Sequence, residues 1–158
     1  MNNSVCAFSG HRQICLSHID IIVPKLSETI DALINSGVTH FLSGGAVGFD
    51  MIAANEVLKK RENGADISLS MILPCRTQER IWPPDIRFEY GRILSLADDV
   101  IYTSDSYSRF CMHIRNRRLV DEAGILLCYL ARSSGGTANT KKYAESRGRK
   151  IINLADLL

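Results

Sequence analysis

The chain has 158 residues, 46% hydrophobic and 23% charged, and its 19 Lys and Arg against 17 Asp and Glu leave a formal net charge of +2. That length fits one domain, read as residues 1–158, with a core that needs no disulfide or metal staple. So mild a charge does not call for nucleic acid or a membrane surface as partner, and neither a basic leader nor an apolar run of roughly 18 residues is present, so a cytoplasmic protein is expected.

In chain order, Val5 to Phe8 has the apolar run of a buried strand, stopped by Ser9-Gly10. From His18 to Ser36, apolar residues at Ile19, Ile22, Val23, Leu26, Ile30, Leu33 and Ile34 follow the three- and four-residue steps of a one-faced helix. Ser17 can cap its start and Gly37 can end it. Val38 to Leu42 is a second strand. Asp50 to Glu62 is a second helix, with Met51, Ala54, Val57 and Leu58 inward and Lys59, Lys60 and Arg61 in the last turn, where positive charge suits the dipole. Ile67 to Leu73 is a third strand, closed by Pro74, and the irregular stretch from Cys75 to Pro84 holds Trp82. Asp85 to Ala97 reads as helix, Asp99 to Tyr102 as strand and Ser108 to Asp121 as helix. Ile125 to Leu130 is the fifth and most apolar strand, followed by a helix from Thr137 to Arg147 and a short strand from Lys150 to Asn153.

This alternation predicts an α/β, Rossmann-like three-layer fold with a mostly parallel sheet, whose ligands bind beyond the C-terminal strand ends. Four of those ends run into small, hydroxyl-bearing or glycine residues. They are Ser9-Gly10-His11-Arg12, Ser43-Gly44-Gly45-Ala46-Val47-Gly48-Phe49-Asp50, Thr103-Ser104-Asp105-Ser106 leading to Arg115-Asn116-Arg117, and Ser133-Ser134-Gly135-Gly136-Thr137. Glycines let backbone approach a ligand closely, and free N–H groups at a helix start attract an anion. Ser43, Ser134 and Thr137 can add hydroxyl donors, and Arg12 and Arg115 charge-assisted contacts to phosphate. Asp50 would repel phosphate, and suits a helix cap or an acceptor for a ribose hydroxyl. Gly10, Gly45, Arg115 and Gly136 are expected to line one pocket.

Other residues read two ways. His11 is either a satisfied loop histidine or a catalytic base, and Trp82 packs against the fold or stacks on a base, packing being preferred. Arg115 and Arg117 stand about 200° apart on a helix, so one serves the cleft and the other pairs with an acid such as Asp121. Arg118 reads as solvated helix face. The five cysteines contain no CxxC pair and read as thiols in a reducing compartment, not as a zinc site. The dinucleotide GxGxxG is absent after the first strand, as is the GxxxxGK[ST] phosphate loop, which disfavours hydride transfer and phosphate-loop ATP hydrolysis.

Together, Phe8-Ser9-Gly10-His11-Arg12, the Ser43–Asp50 loop, Arg115-Asn116-Arg117 and Ser134-Gly135-Gly136-Thr137 resemble the SLOG superfamily, which unites Smf/DprA proteins with the cytokinin-activating LOG proteins. Leu73-Pro74-Cys75, Gln78, Trp82 and the block from Ala97 to Asn116 are similar to its YpsA/YoqJ-like branch. The resemblance runs from Cys6 to Asn153. It implies a nucleotide or ADP-ribose-like ligand bound at Ser9, Gly10, Arg12, Ser43, Gly44, Gly45, Gly48, Asp50, Arg115, Asn116 and Ser134 to Thr137, with no cofactor required. LOG proteins carry PGGxGTxxE; here Ser134 replaces the proline and Thr140 stands where the catalytic glutamate would fall. No catalytic residue is therefore assigned, and a sensor or adaptor is the primary expectation. An N-glycosidase or phosphoribohydrolase working through Asp50 or Asp105 is the alternative. Smf/DprA-like binding of single-stranded nucleic acid is a third reading, disfavoured by the weak charge and by the lack of an aromatic ladder. Self-association into a homo-oligomer is compatible with all three.

Overall fold

The structure, a computed structural model, describes residues 2–158. Six strands, β1 (Val5–Gly10), β2 (His40–Ser43), β3 (Ser68–Leu73), β4 (Asp99–Tyr102), β5 (Ile125–Tyr129) and β6 (Lys150–Asn153), form one sheet. All pairings are parallel, in the order β4-β3-β2-β1-β5-β6. The helices are α1 (Ile22–Asn35), α2 (Phe49–Glu62), α3 (Pro84–Leu96), α4 (Cys111–Glu122) and α5 (Gly136–Ser146). The Rossmann-like three-layer fold read from the sequence is the one found.

Residue alternation along each strand divides the core. Cys6 and Phe8, Phe41, Leu69 and Met71, and Leu127 and Tyr129 face α1, α2 and α3. Ala7, Leu42, Ile72, Leu126 and Cys128 face α4 and α5. The first layer is aromatic: Phe8 stacks on Phe41 at 5.7 Å and Phe49 on Tyr129 at 5.8 Å, each pair worth about 0.5–1.5 kcal/mol beyond its burial. The second layer is aliphatic and includes the small residues Ala7, Ala123 and Ala144. Strands covered on both faces must be apolar throughout, as β5 (Ile-Leu-Leu-Cys-Tyr) is.

Strand order reverses at β1. The chain steps outward from β1 to β4, and α4 then carries it back across the sheet to β5 on the far side of β1. The crevice between the ends of β1 and β5 is therefore the topological switch point.

Two helix starts differ from expectation. Ser17 caps nothing: Leu16–His18 is a short 3-10 turn, and α1 begins at Ile22. Pro24 lies in the first turn of α1, where its missing N–H is not needed. Asp50 is likewise not a cap, since α2 starts at Phe49 on Gly48 and its carboxylate turns inward. The remaining boundaries shift by up to three residues. β1 extends through Ser9 and Gly10 because both still pair with β5. Among the described residues, no helix is long and apolar enough to cross a membrane.

Candidate functional site

The β2–α2 loop forms the floor of the crevice and is tightly packed. Ser43 Oγ donates to the Asp50 carbonyl (2.9 Å) and accepts from the Gly45 N–H (3.2 Å), folding the loop on itself. Phe49 N–H donates to the His11 carbonyl (3.1 Å), tying this loop to the end of β1. Gly48 has φ +91°, and a Cβ there would overlap the Arg12 carbonyl. Only glycine meets both conditions. A Cβ on Gly10 would strike the Phe49 ring.

Arg115 rises from α4 into this floor and is 4% exposed. Its Nη1 donates to the Gly44 carbonyl (2.6 Å) and its Nε to Asn116 Oδ1 (2.8 Å). A Cβ on Gly44 would lie 2.5 Å from that Nη1, so the absent side chain is the seat of the arginine. Gln78 Nε2 also donates to the Gly44 carbonyl (3.3 Å) and to the Tyr90 hydroxyl (3.1 Å). Asp50 is buried beside them, its Oδ1 accepting from Gly10 N–H (3.2 Å). Burial pushes this carboxyl up to about 6, against the pull of Arg115, the Ala46 and Gly10 N–H groups and Arg12. Burial also lowers the pKa of Arg115, and Asp50 opposes that shift.

The opposite wall is open. Gly135 caps α5 with φ +103°, and a Cβ on Gly135 or Gly136 would meet nothing within 4 Å. The crevice encloses about 500 Å³, within the usual range for small-molecule sites. Arg12 and Arg132 stand exposed on its rim, while Asp50 and Arg115 lie at its base. A wider trough of about 790 Å³ between α2 and α3 is lined by Asn55, Glu89 and Arg92, which hydrogen-bond one another.

Of the residues singled out in the sequence, Ser9, Gly10, Arg12, Asp50, Arg115, Asn116, Ser134, Gly135, Gly136 and Thr137 line this crevice. Ser43, Gly44, Gly45 and Gly48 do not line it. They build the floor from below, and Gly45 faces Leu73, Met71 and Tyr90 in the core. Arg117 leaves the cleft, as its spacing from Arg115 requires, but does not pair with Asp121. Its Nε meets His113 (3.1 Å) and its guanidinium lies 4.7 Å over the Tyr143 ring. Asp121 Oδ1 instead accepts from the Tyr143 hydroxyl of α5 (2.7 Å), with Arg147 Nε 3.7 Å away. Arg118 pairs with Glu122 at 3.0 Å. Trp82 packs edge-on against Tyr90 at 5.1 Å, away from the crevice. Thr140 is turned into α5, its hydroxyl donating to the Gly136 carbonyl (2.9 Å). Asp105 lies exposed beyond β4 and does not reach the crevice. Gln13, Ala46, Met112 and Arg132 were not foreseen as lining. Arg132 carries a local signal, since it stands just past β5 beside Ser134 to Thr137.

Fold and crevice thus define a Rossmann-like domain with a glycine-edged cleft at its switch point. A family model described as the YspA SLOG family (YpsA) matches residues 6–155, and the chain belongs to that family. It is 28% identical over 151 residues to UPF0398 protein BH1768 of Halalkalibacterium halodurans, covering 91% of this chain and 80% of that protein. It is 26% identical over 140 residues to the uncharacterized SPbeta prophage-derived protein YoqJ of Bacillus subtilis, covering 77% and 81%. The fold is similar to that of DNA processing protein A from Helicobacter pylori, described for its single-stranded DNA binding mode (TM-score 0.66, 18% identity). It is also similar to DNA processing protein A from Streptococcus pneumoniae (TM-score 0.67, 16% identity). The alignments cover 93% and 92% of this chain but only 63% and 48% of those proteins.

Proposed function

We propose that the crevice binds a phosphate-bearing, nucleotide-derived ligand such as a nucleoside diphosphate or ADP-ribose, and that the protein acts through it as a sensor or adaptor. The observation that carries this reading is the empty space over Gly136. Its backbone is ordinary and its missing Cβ would touch nothing, so neither strain nor packing asks for glycine there. A ligand seated against the backbone would use that space. Phosphate oxygens at the start of α5 would meet free N–H groups and the positive end of the helix dipole, with Arg12 and Arg132 alongside. Asp50, at the base, is the acceptor for a sugar hydroxyl. Cleavage by the LOG route has no support, since the position of its glutamate is Thr140, whose hydroxyl is spent within the helix.

Calorimetry with ADP and ADP-ribose tests the reading, together with mass spectrometry of small molecules retained on the purified protein. Binding by the wild type and its loss in a folded Gly136→Val variant are expected. Equal affinity in both would remove the site.

The likeness to DNA processing protein A favours a second reading, single-stranded nucleic acid across the same edge, and gives no support to the expectation that nucleic acid is not a partner. Oligonucleotide binding that survives physiological salt, with a log–log slope of about −0.7 per phosphate contacted, would put this reading first.

A further inference from the structure

His11 follows β1 directly and is 6% exposed, with its ring edge-on to Tyr129 at 5.7 Å. Its Nε2 lies 3.0 Å from the Ala131 nitrogen and 3.3 Å from the Arg132 nitrogen, both backbone donors. A ring nitrogen accepts such bonds only through its lone pair, so Nε2 is unprotonated and the proton of the neutral ring sits on Nδ1. Burial, and then the positive charge of Arg132, both favour the neutral ring. Nδ1 has no protein partner among the described residues. The one fully enclosed side-chain polar atom without a partner there is Gln78 Oε1. Nδ1 of His11 is therefore not fully enclosed, and His11 is among the residues that line the crevice.

We propose that His11 is a tautomer-fixed, neutral hydrogen-bond donor that gives Nδ1–H to a phosphate oxygen of the ligand, and is not a general base. This rests on the nucleotide reading above. A base would have to present a lone pair to the ligand, and the only one is already taken by the β5–α5 loop. The assignment to phosphate follows from that same loop, which carries Arg132 and leads into the open N-terminus of α5. One imidazole thus joins the anion to the backbone that cradles it: Nε2 holds the loop and Nδ1–H holds the ligand.

The test is the imidazole nitrogen spectrum of protein labelled with 15N-histidine, recorded alone, with ADP-ribose and with adenosine. The free protein should show His11 as the Nδ1–H tautomer. ADP-ribose should shift its Nδ1 resonance, and adenosine, which has no phosphate, should not. His11→Gln places an acceptor near the Nε2 position and removes the Nδ1 donor, so the fold should be kept and ADP-ribose affinity fall about three- to tenfold, the worth of one hydrogen bond. ADP-ribose binding with a silent Nδ1, an Nε2–H tautomer, or full affinity in His11→Gln overturns the donor role and leaves the cleft reading standing. Failure of ADP and ADP-ribose to bind at all overturns both.

Discussion

Two glycine loops follow two strands of this sheet and look alike in sequence, yet they do opposite things. In Ser43–Asp50 the missing side chains are occupied by protein: Arg115 presses against Gly44 and the Arg12 carbonyl against Gly48. In Ser133–Thr137 the space over Gly135 and Gly136 is empty. The first loop uses glycine to pack, the second to stay open. A glycine pair after a parallel strand therefore does not mark a ligand contact until its neighbours in space are known.

The sharpest way to break the comparison is substitution within the packed loop. Gly48→Ala forces a side chain into a left-handed backbone and onto the Arg12 carbonyl, and should cost about 3 kcal/mol or more, read as a large fall in Tm. The same strain at Gly135, with no clash, should cost about half as much.

Asp50 shows what the packed floor imposes on an acid. Its carboxyl sits at about 6 against an ordinary value of 3.8, so the folded protein takes up a proton that the unfolded chain releases. That stabilisation is full below about pH 4 and is lost as pH climbs through 6. Asp50→Asn keeps an oxygen for the Gly10 N–H. At pH 8 it should raise stability by about 1–3 kcal/mol, following about 1.4 kcal/mol per pKa unit, with little change at pH 4. Denaturant unfolding at the two pH values checks this, and equal effects at both would mean that the carboxyl is not shifted.

Arg115→Ala removes the bond to the Gly44 carbonyl and the cation that pulls hardest on the Asp50 carboxyl. It should destabilise by about 2 kcal/mol, the worth of a charged hydrogen bond, and move the Asp50 titration further up. The smallest effect on stability belongs to the open loop. Gly136→Val should change Tm little, about 0.5 kcal/mol either way, while abolishing ligand binding. A large Tm loss in that variant would mean that the two loops are not different in kind.

Much of this molecule was legible from local pattern. Alternating apolar runs gave all six strands and five helices, because a parallel sheet covered on both faces needs continuous apolar strands and one-faced helices. Those rules also place the strand ends on one edge, which is why ten of the fourteen chosen ligand residues line one crevice. Direction of approach was not legible. Gly45 and Gly136 each follow a strand by a few residues, and nothing local says that one faces Tyr90 and the other empty space. Asp50 reads as a cap by its place in the sequence. In the fold it is a buried acid that accepts from the Gly10 N–H at the end of β1, 40 residues earlier in the chain. His11 reads as a satisfied loop residue or, less readily, as a base, until the β5–α5 loop, 120 and 121 residues later in the chain, brings two backbone donors to its Nε2. Sequence periodicity fixes which residues are near an edge, because it is a property of neighbours along the chain. Which way a glycine opens, and which proton a histidine keeps, are set by groups far apart in sequence, and only the closed sheet brings those together.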